Sequence, residues 1–254
     1  MKALITGASS GIGRDMAREL SKKGYDLVLV ARDLDKLNEV KKELEAKIEI
    51  VCMDISNVDN CKKLYEQYKD IDILINNAGF GDCGYFYKTN LEKEISMINT
   101  NIVAYHVLTK LYLQDMKQKN SGKILNVASI AGFMPGPLMA TYYATKNYVV
   151  RLSEAIREEL NKQKSKVQIS ILCPGPVDTN FNKVADVEFA LKGLSSEYVA
   201  KYGIKKFLKG KFYIIPGWKI KLAKIGCKIA PTNLVSKISY NMQKRKIKWK
   251  WTQT

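Results

Sequence analysis

The sequence predicts an α/β protein: a doubly wound parallel sheet with helices on both faces. Three observations carry this. Short β-rich apolar runs alternate with charged helical stretches along most of the chain, as βαβ units do. The runs are apolar nearly throughout, which suits strands covered on both faces. The first run stops in "TGASSGIG" (6–13), where Gly7, Gly11 and Gly13 lead into a helical stretch. Such a turn permits close approach of the backbone to a pyrophosphate, and the helix that follows offers free N–H groups to it.

The elements follow in order. "KALIT" (2–6) is the first strand, and Met16, Ala17 and Leu20 then fall at helical spacing within 14–23. "YDLVLVA" (25–31) is the second strand, with a helical stretch over 33–47. "IEIVCMD" (48–54) is the third, followed by a helix over 57–69, and "IDILINNAG" (71–79) is the fourth. A long helical pattern covers 91–118, "GKILNVAS" (122–129) is the fifth strand, and 141–163 is helical again. "VQISILCPG" (167–175) and "KFYIIPG" (211–217) complete a set of seven. Neither a repeat nor a low-complexity linker interrupts this series. Residues 1–217 therefore read as one domain and 218–254 as an extension.

Composition narrows the class. The chain has 254 residues, 46% hydrophobic and 26% charged, enough for a sizeable core in one large domain. "MKALITG" lacks the features of a signal peptide. No run approaches the ~20 apolar residues that span a bilayer. Cys52, Cys61, Cys83, Cys173 and Cys227 are scattered without a CxxC pair, which predicts reduced thiols in a cytoplasmic protein and no metal site. The sole histidine, His106, lies near Val103, Val107 and Leu108 and reads as helix packing. A Ser-His-Asp hydrolase is not expected from it. The net charge of +17 is uneven: residues 201–254 hold fifteen Lys and Arg, and Glu197 is the last carboxylate.

Four motifs stand in order: the glycine turn, "NNAG" (76–79), Ser129 at the end of the fifth strand, and "TYYATK" (141–146). In a helix both Tyr142 and Tyr143 lie within one turn of Lys146, so local spacing leaves the choice between them open. Taken together, the four motifs resemble the short-chain dehydrogenase/reductase family over residues 1–217. The resemblance implies a Rossmann-type fold, a nicotinamide cofactor and hydride transfer between a carbonyl and an alcohol. It also implies a homodimer or homotetramer built through 91–118 and 141–163.

In that family the active serine precedes the tyrosine by about a dozen residues, and the lysine follows it by four. Ser129, Tyr142 and Lys146 fit, whereas Tyr143 would need a lysine where Asn147 stands. The resemblance thus makes Tyr142 the acid/base, with Ser129 holding the carbonyl oxygen. Free tyrosine titrates near ~10, and a Lys146 ammonium together with an oxidised nicotinamide would favour the phenolate. Asn101 matches the asparagine that tethers a water in a proton relay, with Asn99 as its rival.

Cofactor contacts carry over residue by residue. Gly7, Ser9, Ser10, Gly11, Ile12 and Gly13 match the pyrophosphate turn, and Asp54 and Ile55 the adenine site. Asn76 matches the brace of the central strand, while Asn77, Ala78 and Gly79 follow beside the adenosine. Pro174, Gly175, Val177 and Thr179 match the segment after the sixth strand, where Thr179 would bond the carboxamide. For the adenine ribose two residues compete. Asp33 lies about 20 positions beyond the glycines, as an NAD(H) site requires. Arg32 directly follows the strand end at Ala31 and suits a 2′-phosphate. The reading favours NADP(H), with NAD(H) as the alternative.

Phe80, Phe133, Met134, Leu138, Met139 and Phe181, with a mobile lid over 180–210, predict an apolar pocket for a lipophilic ketone or acyl-type substrate. The extension places Trp218, Leu222, Ile225 and Ile229 at helical spacing between Lys219, Lys221, Lys224 and Lys228, then Leu234, Ile238 and Met242 on a second helix. Three roles compete for it. It packs on the body with its lysines in water, it docks on an anionic membrane surface, or it binds an acidic partner such as an acyl carrier protein. No nucleic-acid motif accompanies the basic residues. The rival to an enzyme is a non-catalytic cofactor-binding sensor or scaffold.

Overall fold

The computed structural model describes residues 1–179 and 193–244. Its strands are β1 (Lys2–Thr6), β2 (Asp26–Ala31), β3 (Ile48–Cys52), β4 (Ile73–Asn76), β5 (Lys123–Val127), β6 (Gln168–Leu172), β7 (Val177–Asp178), β8 (Leu194–Ser195) and β9 (Tyr213–Ile214). The helices are α1 (Gly11–Ser21), α2 (Leu34–Lys42), α3 (Val58–Gln67), α4 (Leu91–Ile98), α5 (Ala104–Lys119), α6 (Ala140–Lys162), α7 (Ser196–Leu208), α8 (Trp218–Ile229) and α9 (Thr232–Lys244).

Seven strands form one parallel sheet in the order β3-β2-β1-β4-β5-β6-β9, and β7 and β8 make a separate pair. The period of two along each strand divides the core. In β1, Leu4 pairs in register with Val28 and Leu74, and all three join Tyr105, Leu108 and Tyr112 of α5 on one face. Ala3 and Ile5 turn to the other face, against Met16, Ala17 and Leu20 of α1 and Phe207 of α7. Strand order reverses at β1, which lies between β2 and β4. Ligands of such sheets bind in the crevice beyond the carboxyl ends of the strands at this point.

Three sequence expectations need correction. Residues 196–208 do not belong to a lid: they form α7, whose Val199, Ala200, Ile204 and Phe207 are fully buried against the sheet and α1. Of the rest of the proposed lid, 180–192 with Phe181 lies outside the described residues, and Leu194 and Ser195 pair with β7. The long pattern over 91–118 is not one regular helix, because a π-helical turn over Asn99–Val103 separates α4 from α5. His106 is exposed, not packed inside, and its Nδ1 lies 2.7 Å from the Tyr148 hydroxyl. Among the described residues no helix is long and apolar enough to cross a membrane.

Candidate active site

The turn after β1 is closed by glycine where nothing else fits. Gly7 has φ +66°, and a Cβ there would stand 2.7 Å from Ala78 Cα. A Cβ on Gly13 would collide with the Gly7 carbonyl oxygen and the Asn77 side chain. Asn77 fastens this turn to the end of β4, its Nδ2 donating to Thr6 O at 3.0 Å and Gly7 O at 3.1 Å. Ser10 is the N-cap of α1 but makes no side-chain cap bond, so its side chain satisfies none of the first N–H groups of the helix, and Ser10, Gly11 and Ile12 line the crevice. Across the crevice, the segment after β6 comes down on the turn. A Cβ on Gly11 would be 3.1 Å from Thr179 Cγ2.

These pieces line one cavity of about 1080 Å³, just above the ~300–1000 Å³ usual for small-molecule sites. Gly7, Ser9, Ser10, Gly11 and Ile12 form one wall, Arg32, Asp33, Asp54 and Ile55 one end, and Asn77, Ala78 and Gly79 the floor beyond β4. Ser129, Tyr142 and Lys146 face Pro174, Gly175, Val177 and Thr179 further along. Gly13, Asn76 and Asn101 are not part of its lining. A cavity of this size, lined by a glycine turn together with a serine, a tyrosine and a lysine, fits a dinucleotide with a second molecule beside it.

Asn76 serves the sheet. Fully buried, it donates to Thr109 Oγ1 at 3.0 Å and to Asn126 Oδ1 at 2.9 Å, and Asn126 passes the chain to Ser153. Asn101 is equally buried, in the π-helical turn. Its Nδ2 donates to Phe80 O at 2.9 Å and to Thr145 Oγ1 at 3.1 Å, and its Oδ1 accepts from Phe80 N at 3.1 Å. π-Turns of this kind recur at functional sites. This one turns Asn101 inward to bridge the loop after β4 and α6, while Asn99 stays partly exposed.

Ser129 ends the fifth strand segment and caps a 3₁₀ turn, its Oγ accepting from Ala131 N at 3.2 Å. Lys146 is 4% exposed, and its Nζ donates to Val127 O at 3.0 Å and lies 5.9 Å from the Tyr142 ring centre. Burial lowers the Lys146 pKa to about 8. Burial also raises the Tyr142 phenol well above its ordinary value, and a hydrogen bond with Ser129 opposes it. Desolvation therefore sets the direction of the shift at Tyr142.

At the ribose end Asp33 is already engaged. It is the N-cap of α2, accepting from Lys36 N at 3.0 Å and from the Lys36 ammonium. Among the described residues the Arg32 side chain is held by a 4.0 Å ion pair with Asp54, and it is 68% exposed.

Of the expected substrate wall, Phe80, Met134 and Met139 line the cavity, and Phe133 and Leu138 lie outside its lining. What the sequence did not foretell is the roof. Ile220, Ala223, Cys227, Val235, Ile238 and Met242, all from α8 and α9, line the same cavity. Tyr143 lines it too, and its hydroxyl accepts a hydrogen bond from Gln243 Nε2. Helical spacing had marked these helices as amphipathic but carried no signal of where they sit.

Comparison with known proteins agrees with this geometry. Residues 1–188 match the family described as short chain dehydrogenase. The NADP-dependent 3-hydroxy acid dehydrogenase of Schizosaccharomyces pombe is 35% identical over 191 residues, 71% of this chain and 73% of that protein. The very-long-chain 3-oxoacyl-CoA reductase-A of Danio rerio is 31% identical over 257 residues, 95% of this chain and 78% of that protein. A short-chain dehydrogenase from Sphingobium yanoikuyae, solved in complex with NADPH, superposes with a TM-score of 0.81 at 27% identity, over 92% of this chain and 94% of that one. The fold is thus shared along with the sequence, and the chain belongs to the short-chain dehydrogenases, a family of oxidoreductases.

Proposed function

We propose that this protein is an NADP(H)-dependent reductase of a lipophilic ketone or 3-oxoacyl-type carbonyl, or the dehydrogenase of the corresponding alcohol. One observation carries the reading: Ser129, Tyr142 and Lys146 share a cavity with Arg32 and the glycine turn. The cofactor would be held by the turn from Gly7 to Gly13, by Asn77, Ala78 and Gly79, and by Thr179, and it would supply or accept the hydride. Arg32 would pair with a 2′-phosphate, a role that the engaged carboxylate of Asp33 favours over a ribose contact. The NADPH and NADP named for two relatives support the same preference.

The residues divide the remaining work. Ser129 donates to the substrate oxygen and holds it near the phenol. Tyr142 keeps its proton at neutral pH because its site is desolvated, so it can deliver that proton as the carbonyl oxygen gains charge. Lys146, charged below about pH 8, stands ready beside the phenolate that remains. Asn101 holds the loop after β4 against α6 and thereby positions the wall opposite Tyr142. We assign the chemistry to residues 1–217, with 218–254 as an extension that roofs the cavity. Exposed Leu91, Ile95 and Tyr148 on α4 and α6 support assembly of a homodimer or homotetramer through those helices.

Titration with NADPH and NADH, read by nicotinamide fluorescence, tests the cofactor. Consumption of NADPH with medium- and long-chain 3-oxoacyl thioesters and bulky ketones tests the reaction. Tight NADPH binding with turnover of at least one lipophilic carbonyl is expected. Binding of neither nucleotide would sink the proposal.

A further inference from the structure

Helices α8 and α9 are amphipathic, yet they turn the reverse face to the protein. On α8 the inward positions are Ile220, Lys224 and Cys227. A Cβ on Gly175 would meet Ile220, Lys224 Nζ lies 3.0 Å from the Tyr213 ring centre, and Cys227 Sγ lies 4.0 Å from Met134 Sδ. The apolar stripe of Trp218, Leu222, Ile225 and Ile229 points to solvent, at 67%, 57%, 55% and 77% exposure. On α9, Val235, Ser239 and Gln243 are buried, whereas Leu234, Ile238 and Met242 are 50%, 52% and 48% exposed. A helix that packs only for stability buries its apolar stripe. The extension thus packs on the body with most of its lysines in water, as the simplest reading expects, but it leaves its apolar stripes exposed as well.

The exposed stripes meet a strongly basic surface. Lys219, Lys221, Lys228, Lys237 and Lys244 are interleaved with them, and no carboxylate follows Glu197. The Tyr85 hydroxyl lies 3.2 Å from that of Tyr240, which brings exposed Phe86 and Tyr87 beside α9. A second copy of this chain would bring an equally basic face and be repelled. An acidic protein would answer the lysines and leave the apolar stripe without a counterpart. Apolar and aromatic side chains flanked by lysine match the headgroup region of an anionic bilayer on both counts.

We propose that α8 and α9 dock the protein on the surface of an anionic lipid bilayer. The geometry also gives the docked protein an orientation. Ile238 and Met242 are half-exposed and line the active-site cavity, so the cavity opens beside the stripe that meets lipid. Docking does not depend on the proposed reaction, and each is tested by a separate readout.

The test is co-sedimentation of the full chain with vesicles of phosphatidylcholine alone, or with about a third phosphatidylserine. Binding to the anionic vesicles is expected to be at least about tenfold stronger and to weaken at high salt. Leu222→Ser with Ile225→Ser, at exposed positions outside the cavity lining, should lower it by about tenfold or more, with the thermal midpoint and NADPH binding kept. Lys221→Glu with Lys228→Glu should lower it as well. Absence of binding to anionic vesicles overturns the proposal, as does equal binding by the Leu222→Ser, Ile225→Ser variant. Self-association that this variant abolishes, without vesicle binding, would assign the face to a second copy.

Discussion

The side-chain amide of Gln243, on α9, donates a hydrogen bond to the hydroxyl of Tyr143, one hundred residues earlier in the chain. The two adjacent tyrosines of α6 are thereby separated in their hydrogen bonding. The Tyr143 ring fills the space that a side chain at position 136 would need, and its hydroxyl is tied to the roof. Tyr142, set edge-on to it at 6.0 Å between ring centres, keeps its hydroxyl with Ser129.

This division predicts the outcome of two single-atom deletions. Tyr142→Phe is expected to lower kcat by about 10²–10⁴-fold, the usual range for loss of a general acid, with NADPH affinity retained. Tyr143→Phe loses the hydroxyl's bonds to Gln243 and Ser239 and should cost less than about tenfold, mainly in KM. Steady-state kinetics on both variants decide it, and equal losses in kcat would show that the tyrosines are not so divided.

Arg32 is expected to select the phosphate. Arg32→Ala should weaken NADPH binding by about 10–100-fold, the loss of one charge-assisted contact, and change NADH binding little. Fluorescence titration of both nucleotides measures this. An equal effect on the two would remove the 2′-phosphate from the account.

Lys146 gives a pH signature in stability. Its folded-state pKa of about 8 lies below the ordinary 10.5. Below about pH 8 the ammonium is charged in both states, and its burial works fully against folding. Between these values the unfolded chain holds the proton that the folded chain has released, so this contribution to stability rises with pH. Lys146→Met should therefore be more stable than the parent at pH 7 by about 1–3 kcal/mol, the difference shrinking as pH rises from 8 toward 10. Val127 O keeps a partner in the Tyr105 hydroxyl. Urea unfolding of both proteins across this range checks it, and a difference independent of pH would contradict it.

Gly13 should tolerate no side chain. Gly13→Ala is expected to destabilise the fold by about 1–3 kcal/mol, the usual cost of overpacking, because its Cβ meets backbone at Gly7 O. NADPH binding should fall with it. Thermal unfolding with and without nucleotide measures both, and an unchanged midpoint would mean that the turn relaxes freely.

The seven strands were legible because each is a short apolar run covered on both faces, and their ends came out within a few residues. Helix α7 was missed although Val199, Ala200, Ile204 and Phe207 have helical spacing, since its position after the sixth strand suggested a loop over the site. The resemblance favoured Asn101 over its rival Asn99, but spacing along the chain gave no physical reason for the difference. The π-helical turn separates them, and no residue type in "NTNIV" announces it.

The order of the motifs and their places at the strand ends can be read along the chain, because the periods of strand and helix locate each element. The amphipathic character of the last two helices can be read in the same way. Which way those helices face cannot. Spacing defines a stripe on a helix, but whether that stripe meets the protein or solvent depends on the surface offered to it. Here that surface is the Phe133 and Tyr213 rings for Lys224 and the Tyr143 hydroxyl for Gln243. Those partners come from distant parts of the chain and assemble only on folding.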